Sequence, residues 1–177
     1  MLMKVTILGP QGSGKSTQAR FLAEKLSLPM IDMGELIRNS CSVENASNWE
    51  ACQSMRRGEL VPSGFATNVL RLELSNLKYK NGFVLDGYPR QIVDLQLYDP
   101  KPDKVFYLNT PDLLCIERLL RRKRFDDVKE NIEKRLAWYH EKTSKVLDSY
   151  KESGKLIEVD GSKDAKEVYE QIVKSIV

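Results

Sequence analysis

The sequence predicts an α/β fold, a five-stranded parallel sheet flanked by helices, and three observations carry that expectation. Short apolar runs recur along the chain at 4–8, 82–85, 104–108 and 155–159, with a weaker one at 28–31. Stretches of helical period separate them, and strands that alternate with helices wind into a parallel sheet covered on both faces. Between the second run and the third, residues 34–78 give no strand signal and read as helices at 34–40, about 45–57 and 63–78. The alternation is therefore interrupted by a helical insertion. At 177 residues with 41% apolar and 30% charged side chains, one globular domain is expected, large enough to bury a core.

Taken in order, the first run ends directly in Gly9-x4-Gly14-Lys15-Ser16, and a helix is expected over 16–26. The run 28–31 is short and opens the insertion. The runs 82–85 and 104–108 are apolar at nearly every position, as strands buried on both faces are. Thr110-Pro111-Asp112 gives an N-cap, a first-turn proline and an acidic first turn. Asp127-x-x-Glu130 resembles a capping box opening a long helix to about Tyr150, and Gly154 stands where a C-terminal cap belongs before the last strand. No repeat or low-complexity segment is present. Ligands of open parallel sheets gather at the carboxyl ends of the strands, so the insertion reads as a cover over a second substrate.

The bulk properties exclude several classes. A formal charge of +3 is too mild to imply nucleic acid, and no nucleic-acid partner is expected. The N-terminus lacks a secretory pattern and no run is long enough to span a bilayer, so a cytoplasmic protein without membrane contact is expected. Cys41, Cys52 and Cys115 stand apart with no metal-ligand spacing. Reduced cytosolic thiols, and no zinc, are the expectation.

The glycine-rich segment carries the first chemistry. Gly9, Gly12 and Gly14 stand where backbone amides must approach phosphate oxygens closely, and the helix that follows aims its free N–H groups and its positive dipole end at the same anion. Lys15 adds a point charge at the β/γ-phosphates, and the Ser16 hydroxyl is placed to meet Mg2+. Asp86 ends the strand at 82–85. It reads either as a turn aspartate before Gly87 or as the carboxylate of a Mg2+ shell, and the phosphate loop favours the second. Arg90, with its planar guanidinium, suits two-bond capture of a phosphate. Arg118, Arg121, Arg122, Lys123 and Arg124 crowd the end of one helix, and Arg135 lies on the next. Arg118, Arg122, Arg124 and Arg135 fit the charge that phosphoryl transfer spreads over oxygens, whereas Arg121 and Lys123 read as solvated.

With these residues in place the chain resembles the adenylate kinases, or more broadly the nucleoside monophosphate kinases of that fold. The resemblance runs in family order through Gly9–Gln18, Ile31–Arg38, Met55–Pro62, Gly82–Arg90, Arg118–Arg122, Arg124–Asp127, Lys134–Leu136 and Val159–Gly161. It implies a P-loop NTPase fold with a core over 1–31, 63–117 and 136–177, a segment at 32–62 that binds the acceptor monophosphate, and a short lid at 118–135. Gly9, Gly12, Ser13, Gly14, Lys15, Ser16 and Thr17 would hold the ATP phosphates, Arg118 would lie on the adenine ring of ATP, and Lys163 falls where the base is met mainly through backbone. Met33, Arg38, Leu60, Val61, Gly87, Arg90 and Asp94 would form the acceptor site. Arg122, Arg124 and Arg135 would surround the transferring group with Lys15 and Arg90, and Asp86 with Ser16 would hold Mg2+, partly through water. ATP is then a substrate, and the family expectation is a monomer.

Four positions on the acceptor side depart from the family. Met33 and Asp32 stand where Ser or Thr is usual, Gln91 replaces a Thr, and Asp94 stands where AMP kinases carry Gln and the UMP/CMP relatives Asn. An ionised carboxylate only accepts hydrogen bonds, whereas an amide also donates. AMP is the first acceptor to expect, with CMP, dCMP and GMP open. The acceptor phosphate is already anionic, so no general base is needed, and the only histidine, His140, reads as structural or solvated. Two other readings remain at this stage: a kinase of a small hydroxylated metabolite with Asp32 as base, and a nucleotide- or RNA-binding relative without turnover.

Overall fold

The computed structural model describes residues 2–42, 45, 47–122, 124 and 127–176. Strands β1 (Met3–Leu8), β2 (Met30–Asp32), β3 (Gly82–Asp86), β4 (Lys104–Asn109) and β5 (Leu156–Asp160) form one sheet in the order β2-β3-β1-β4-β5. Every neighbouring pair is parallel, with Ile7 and Asp32 both in register with Asp86. β3 is buried at every position and β1 at all but Lys4, which is why these runs are continuously apolar instead of alternating.

The helices are α1 (Lys15–Leu26), α2 (Met33–Ser40), α3 (Trp49–Arg56), α4 (Ser63–Leu74), α5 (Ile92–Leu97), α6 (Asp112–Arg122), α7 (Lys129–Trp138), α8 (Ser144–Glu152) and α9 (Ala165–Lys174). The two-residue period of the strands divides the core between the faces of the sheet. Val5, Ile7 and Val84 pack with Leu22 of α1 and Ile172 of α9. Phe83 and Leu85 turn the other way, onto Ile37 of α2 and Leu70 of α4, while Leu8 and Val105 meet Val146 and Tyr150 of α8. Because all strands are parallel, Leu8, Asp32, Asp86, Asn109 and Asp160 end on one edge of the sheet.

Four local expectations are corrected. The helix expected to 78 ends at Leu74; Asn76 then accepts from the Lys78 N–H and starts a separate 3-10 turn, Leu77–Tyr79. The helix at 45–57 is confined to Trp49–Arg56. The long helix does not begin with an Asp127 cap: Val128 is the N-cap residue, with no side-chain cap, because the Asp127 carboxylate is taken by arginines. It is then interrupted by a π-helical turn, Tyr139–Thr143, before α8.

The fourth correction concerns the thiols. Cys41 and Cys52 form a disulfide with 5.5 Å between their Cα atoms, and only Cys115 is free, buried under the phosphate loop. The spacing hides this because a tertiary contact, not the sequence, brings the start of α3 to the end of α2, where the Asn48 amide donates to the Ser40 carbonyl at 2.7 Å. Glu44, Lys123 and Asp126 lie outside the described residues. No helix is long and apolar enough to cross a membrane, and no group of three or more His, Cys, Asp or Glu side chains converges as a metal cluster would, among the described residues.

Candidate active site

A cavity of about 790 Å³ runs along the carboxyl edge of the sheet, and it gathers segments that are far apart in sequence. The phosphate loop forms one wall. Gly14, at φ 95°, turns the chain into α1 with no side-chain cap and no acid in the first turn, so the first N–H groups and the positive helix end remain available to an anion. Gly12 (φ 88°) packs so closely on α6 that a Cβ there would lie 2.5 Å from the Cys115 carbonyl oxygen. Ser13, Lys15, Ser16 and Thr17 line the cavity, whereas Gly9 sits behind it, packed on Leu108.

Lys15 donates from Nζ to the Pro10 carbonyl at 2.6 Å. Burial lowers its pKa to about 8, against the opposing pull of Asp86. Asp86, in turn, is pushed up by burial, with Lys15 and a hydrogen bond from the Ser16 hydroxyl (2.5 Å to Oδ2) acting the other way. Its Oδ1 is buried and has no hydrogen-bond partner among the described residues.

The opposite wall comes from the insertion and the turn after β3. Met33, Arg38, Leu60, Val61, Gly87, Arg90 and Asp94 all line the cavity. The Arg90 backbone is fixed at both ends: its N–H donates to Asp94 Oδ2 at 2.8 Å, and its carbonyl accepts from the Thr143 hydroxyl at 2.7 Å. Its Nε donates to the Gly87 carbonyl at 3.0 Å. Burial lowers the Arg90 pKa, partly offset by Asp86 and Asp32. Asp94 thus spends one oxygen on the start of α5, accepting also from the Gln91 N–H at 3.1 Å, while its Oδ1 is buried without a partner among the described residues. Asp32 caps α2, accepting from the Glu35 N–H at 2.9 Å. Gln91 is turned to the Ser63 hydroxyl at 2.7 Å.

The basic cluster closes the third side. Asp127, whose side chain is fully buried, binds Arg122 through two bonds of 2.7 Å, meets Arg135 Nη1 at 3.3 Å and accepts from the Arg124 N–H at 3.3 Å. Burial alone would raise the Asp127 pKa, but the Arg122 bond and the surrounding charge hold it below the ordinary value. Arg124 is lowered by burial and by the neighbouring Arg122 and Arg38 charges. Arg118 reaches the Gly161, Lys163 and Ser13 carbonyls at 3.0, 3.2 and 3.4 Å and so ties the phosphate loop to the turn after β5. Arg121 instead pairs with Glu117 on the exposed face of α6. His140 bonds Asp112 at 2.8 Å on the surface.

The arrangement presents converging cations and free amides to anionic ligands on both sides of one cavity. Ser13 Oγ, Gln18 Oε1, Asp86 Oδ1 and Asp94 Oδ1 are buried without partners among the described residues, and all four side chains line this cavity. Buried polar atoms without partners are exceptional, and their concentration here points to groups that a ligand or ion satisfies. Thr143 escapes a reading of the sequence, and so does the binding of arginines by Asp127. Asp127 lies in the Arg124–Asp127 match and carries the local signature of a helix cap, neither of which reports that it holds Arg122 and Arg135.

A family model described as adenylate kinase matches residues 7–155. The chain is 36% identical to an adenylate kinase of Nocardia farcinica, with 98% of this chain and 99% of the relative covered. It is 34% identical to an adenylate kinase of Leptospira biflexa over 99% and 100% of the two chains, and 30% identical to that of Clostridium tetani over 96% of each. The phosphate loop, the parallel sheet and 30–36% identity over nearly the whole chain agree, and the chain belongs to the adenylate kinase family.

Proposed function

We propose that this chain transfers the γ-phosphoryl of ATP to AMP, giving ADP, by in-line transfer between two nucleotides held in the one cavity. The observation that carries this reading is the position of Arg122 and Arg135, drawn together by buried Asp127 between the phosphate loop and the acceptor-side Arg90. ATP phosphates fit the Gly12–Thr17 loop and Lys15, and Arg118 and Lys163 border the space left for its base. The acceptor phosphate fits Arg38 and Arg90, with Met33, Leu60, Val61 and Gly87 around the nucleoside. Positioned cations then supply most of the rate, since the developing charge is spread over phosphoryl oxygens.

The Ser16 hydroxyl and the orphaned oxygen of Asp86 are hard-oxygen donors of the kind Mg2+ takes. When bound, the ion neutralises charge on the β- and γ-phosphates. Segments 32–62 and 118–135 are the parts that close over the substrates and exclude water, which protects ATP from hydrolysis.

The metabolite-kinase reading is not favoured. Its candidate base, Asp32, is committed to the cap of α2, and the acceptor side carries arginines suited to a substrate that already bears phosphate. A non-catalytic relative is likewise disfavoured by the family assignment and by the complete set of cations. The unpaired Asp94 oxygen accepts from an exocyclic amine, as on adenine or cytosine, and repels the keto oxygen of uracil or thymine.

The test is ATP-dependent phosphorylation of AMP, GMP, CMP, UMP, dAMP, dCMP and dTMP, read as diphosphate. AMP is expected to lead, with UMP and dTMP at least tenfold behind in kcat/KM. Absence of any diphosphate product while ATP binds would refute the assignment.

A further inference from the structure

We propose that Thr143 is a positioning residue for phosphate capture, acting through the backbone of Arg90. The inference rests on the kinase reading above. Thr143 is 5% exposed, and its hydroxyl donates to the Arg90 carbonyl at 2.7 Å across a separation of 53 residues. The Arg90 N–H is already fixed by Asp94. The Thr143 bond therefore completes a clamp on both ends of the residue, and Arg90 Nε is held by the Gly87 carbonyl. A guanidinium that must meet phosphate with two bonds is sensitive to rotation of the peptide units that carry it.

The π turn explains how Thr143 arrives there. In an unbroken α-helix, at roughly 100° per residue, Thr143 would lie about 80° around the axis from Arg135. The wider Tyr139–Thr143 turn advances less per residue and cancels most of that offset. Arg135 and Thr143 then border the same small cavity, together with Arg90 and Lys15. One helical segment thus supplies a cation to the site directly and, two turns on, fixes the backbone of a second cation. Without the π turn the hydroxyl would be rotated by most of that roughly 80° off its line to Arg90.

Thr143→Val keeps the shape and removes the donor, and Thr143→Ser keeps the donor. The Val variant is expected to lose about tenfold in kcat/KM for the monophosphate, the size of one lost hydrogen bond, with the KM for ATP within twofold of wild type. The Ser variant is expected to recover most of the loss. In an Arg90→Lys background, Thr143→Val is expected to add little, because the guanidinium whose orientation it sets has gone. An unchanged monophosphate kcat/KM in the Val variant would overturn the proposal. So would equal losses toward both substrates, or a full additional loss in the Arg90→Lys background, since these indicate a purely structural role. A wild-type protein without monophosphate kinase activity would overturn the kinase reading itself, and this proposal with it.

Discussion

Lys15 shows how much one residue contributes and how far it can be read from sequence. Its motif is contiguous, so the loop, its glycines and the lysine were legible as a unit. The structure adds that the residue is half-buried at the cavity wall and that its pKa is depressed to about 8. An ammonium partly withdrawn from water is unfavourable until phosphate arrives, so Lys15→Met should leave the fold intact, without loss of Tm, while kcat falls by roughly a hundredfold or more. Steady-state turnover and thermal melts on the same samples check both halves. The cysteines illustrate the opposite case. Nothing in the spacing of Cys41 and Cys52 reports the turn that pairs them, whereas Cys115 is free and buried, with its pKa pushed to about 11 by burial. Alkylation at pH 8.5 followed by mass measurement should therefore add no group to the native unreduced protein. It should add one to the denatured unreduced protein and three after reduction of the three cysteines. Opening a loop of this size removes at most about 3 kcal/mol of stability.

At the scale of elements, α6 and α7 matter through the carboxylate between them. The sequence showed the arginines as a cluster. It did not show that they converge, because Asp127 has the local signature of a helix cap and only the tertiary structure assigns it to Arg122 and Arg135. Like-charged side chains that close together repel, and a shared buried anion is what holds them. Asp127→Asn removes that charge and should lower kcat at least tenfold, with the KM for ATP less affected. The sign of the pH dependence follows from the folded pKa lying below the ordinary 3.8. The stabilisation is present above about 3.8 and is lost as the pH falls through the folded value. Acid titration of thermal stability should show wild type losing stability below about pH 4 and Asp127→Asn lacking that component. Identical acid profiles would show that the pair contributes nothing to folding. The break between α7 and α8 has the same origin as the missed cap. Helical period was visible through this region, but a single wider turn leaves the period almost unchanged while redirecting every side chain after it.

At the scale of the whole molecule, the parallel sheet was legible because strands buried on both faces write continuous apolar runs. The strand order was not, since no local signal tells β1 to lie between β3 and β4. That order creates the site: it brings the ends of β1 and β3 side by side, so that the phosphate loop faces Asp86 and Arg90 across the cavity. The rest of the cavity wall comes from side chains of the insertion and from Arg118, Arg122, Arg124 and Arg135. An architecture of this kind predicts that ligands stabilise and compact the protein together. A bisubstrate analogue joining two nucleosides through a phosphate chain touches both walls at once. At 100 times its Kd it should add about 2.7 kcal/mol of stability, which raises Tm by roughly 5–10 °C for a chain of this length. Small-angle scattering of the same complex should show a smaller radius of gyration, and hydrogen exchange should slow in 32–62 and 118–135 more than in the strands. AMP alone should protect 32–62 without protecting 118–135. Equal protection of both segments by AMP would mean that the two walls close as one unit, and separate closure of acceptor and donor sides would be wrong.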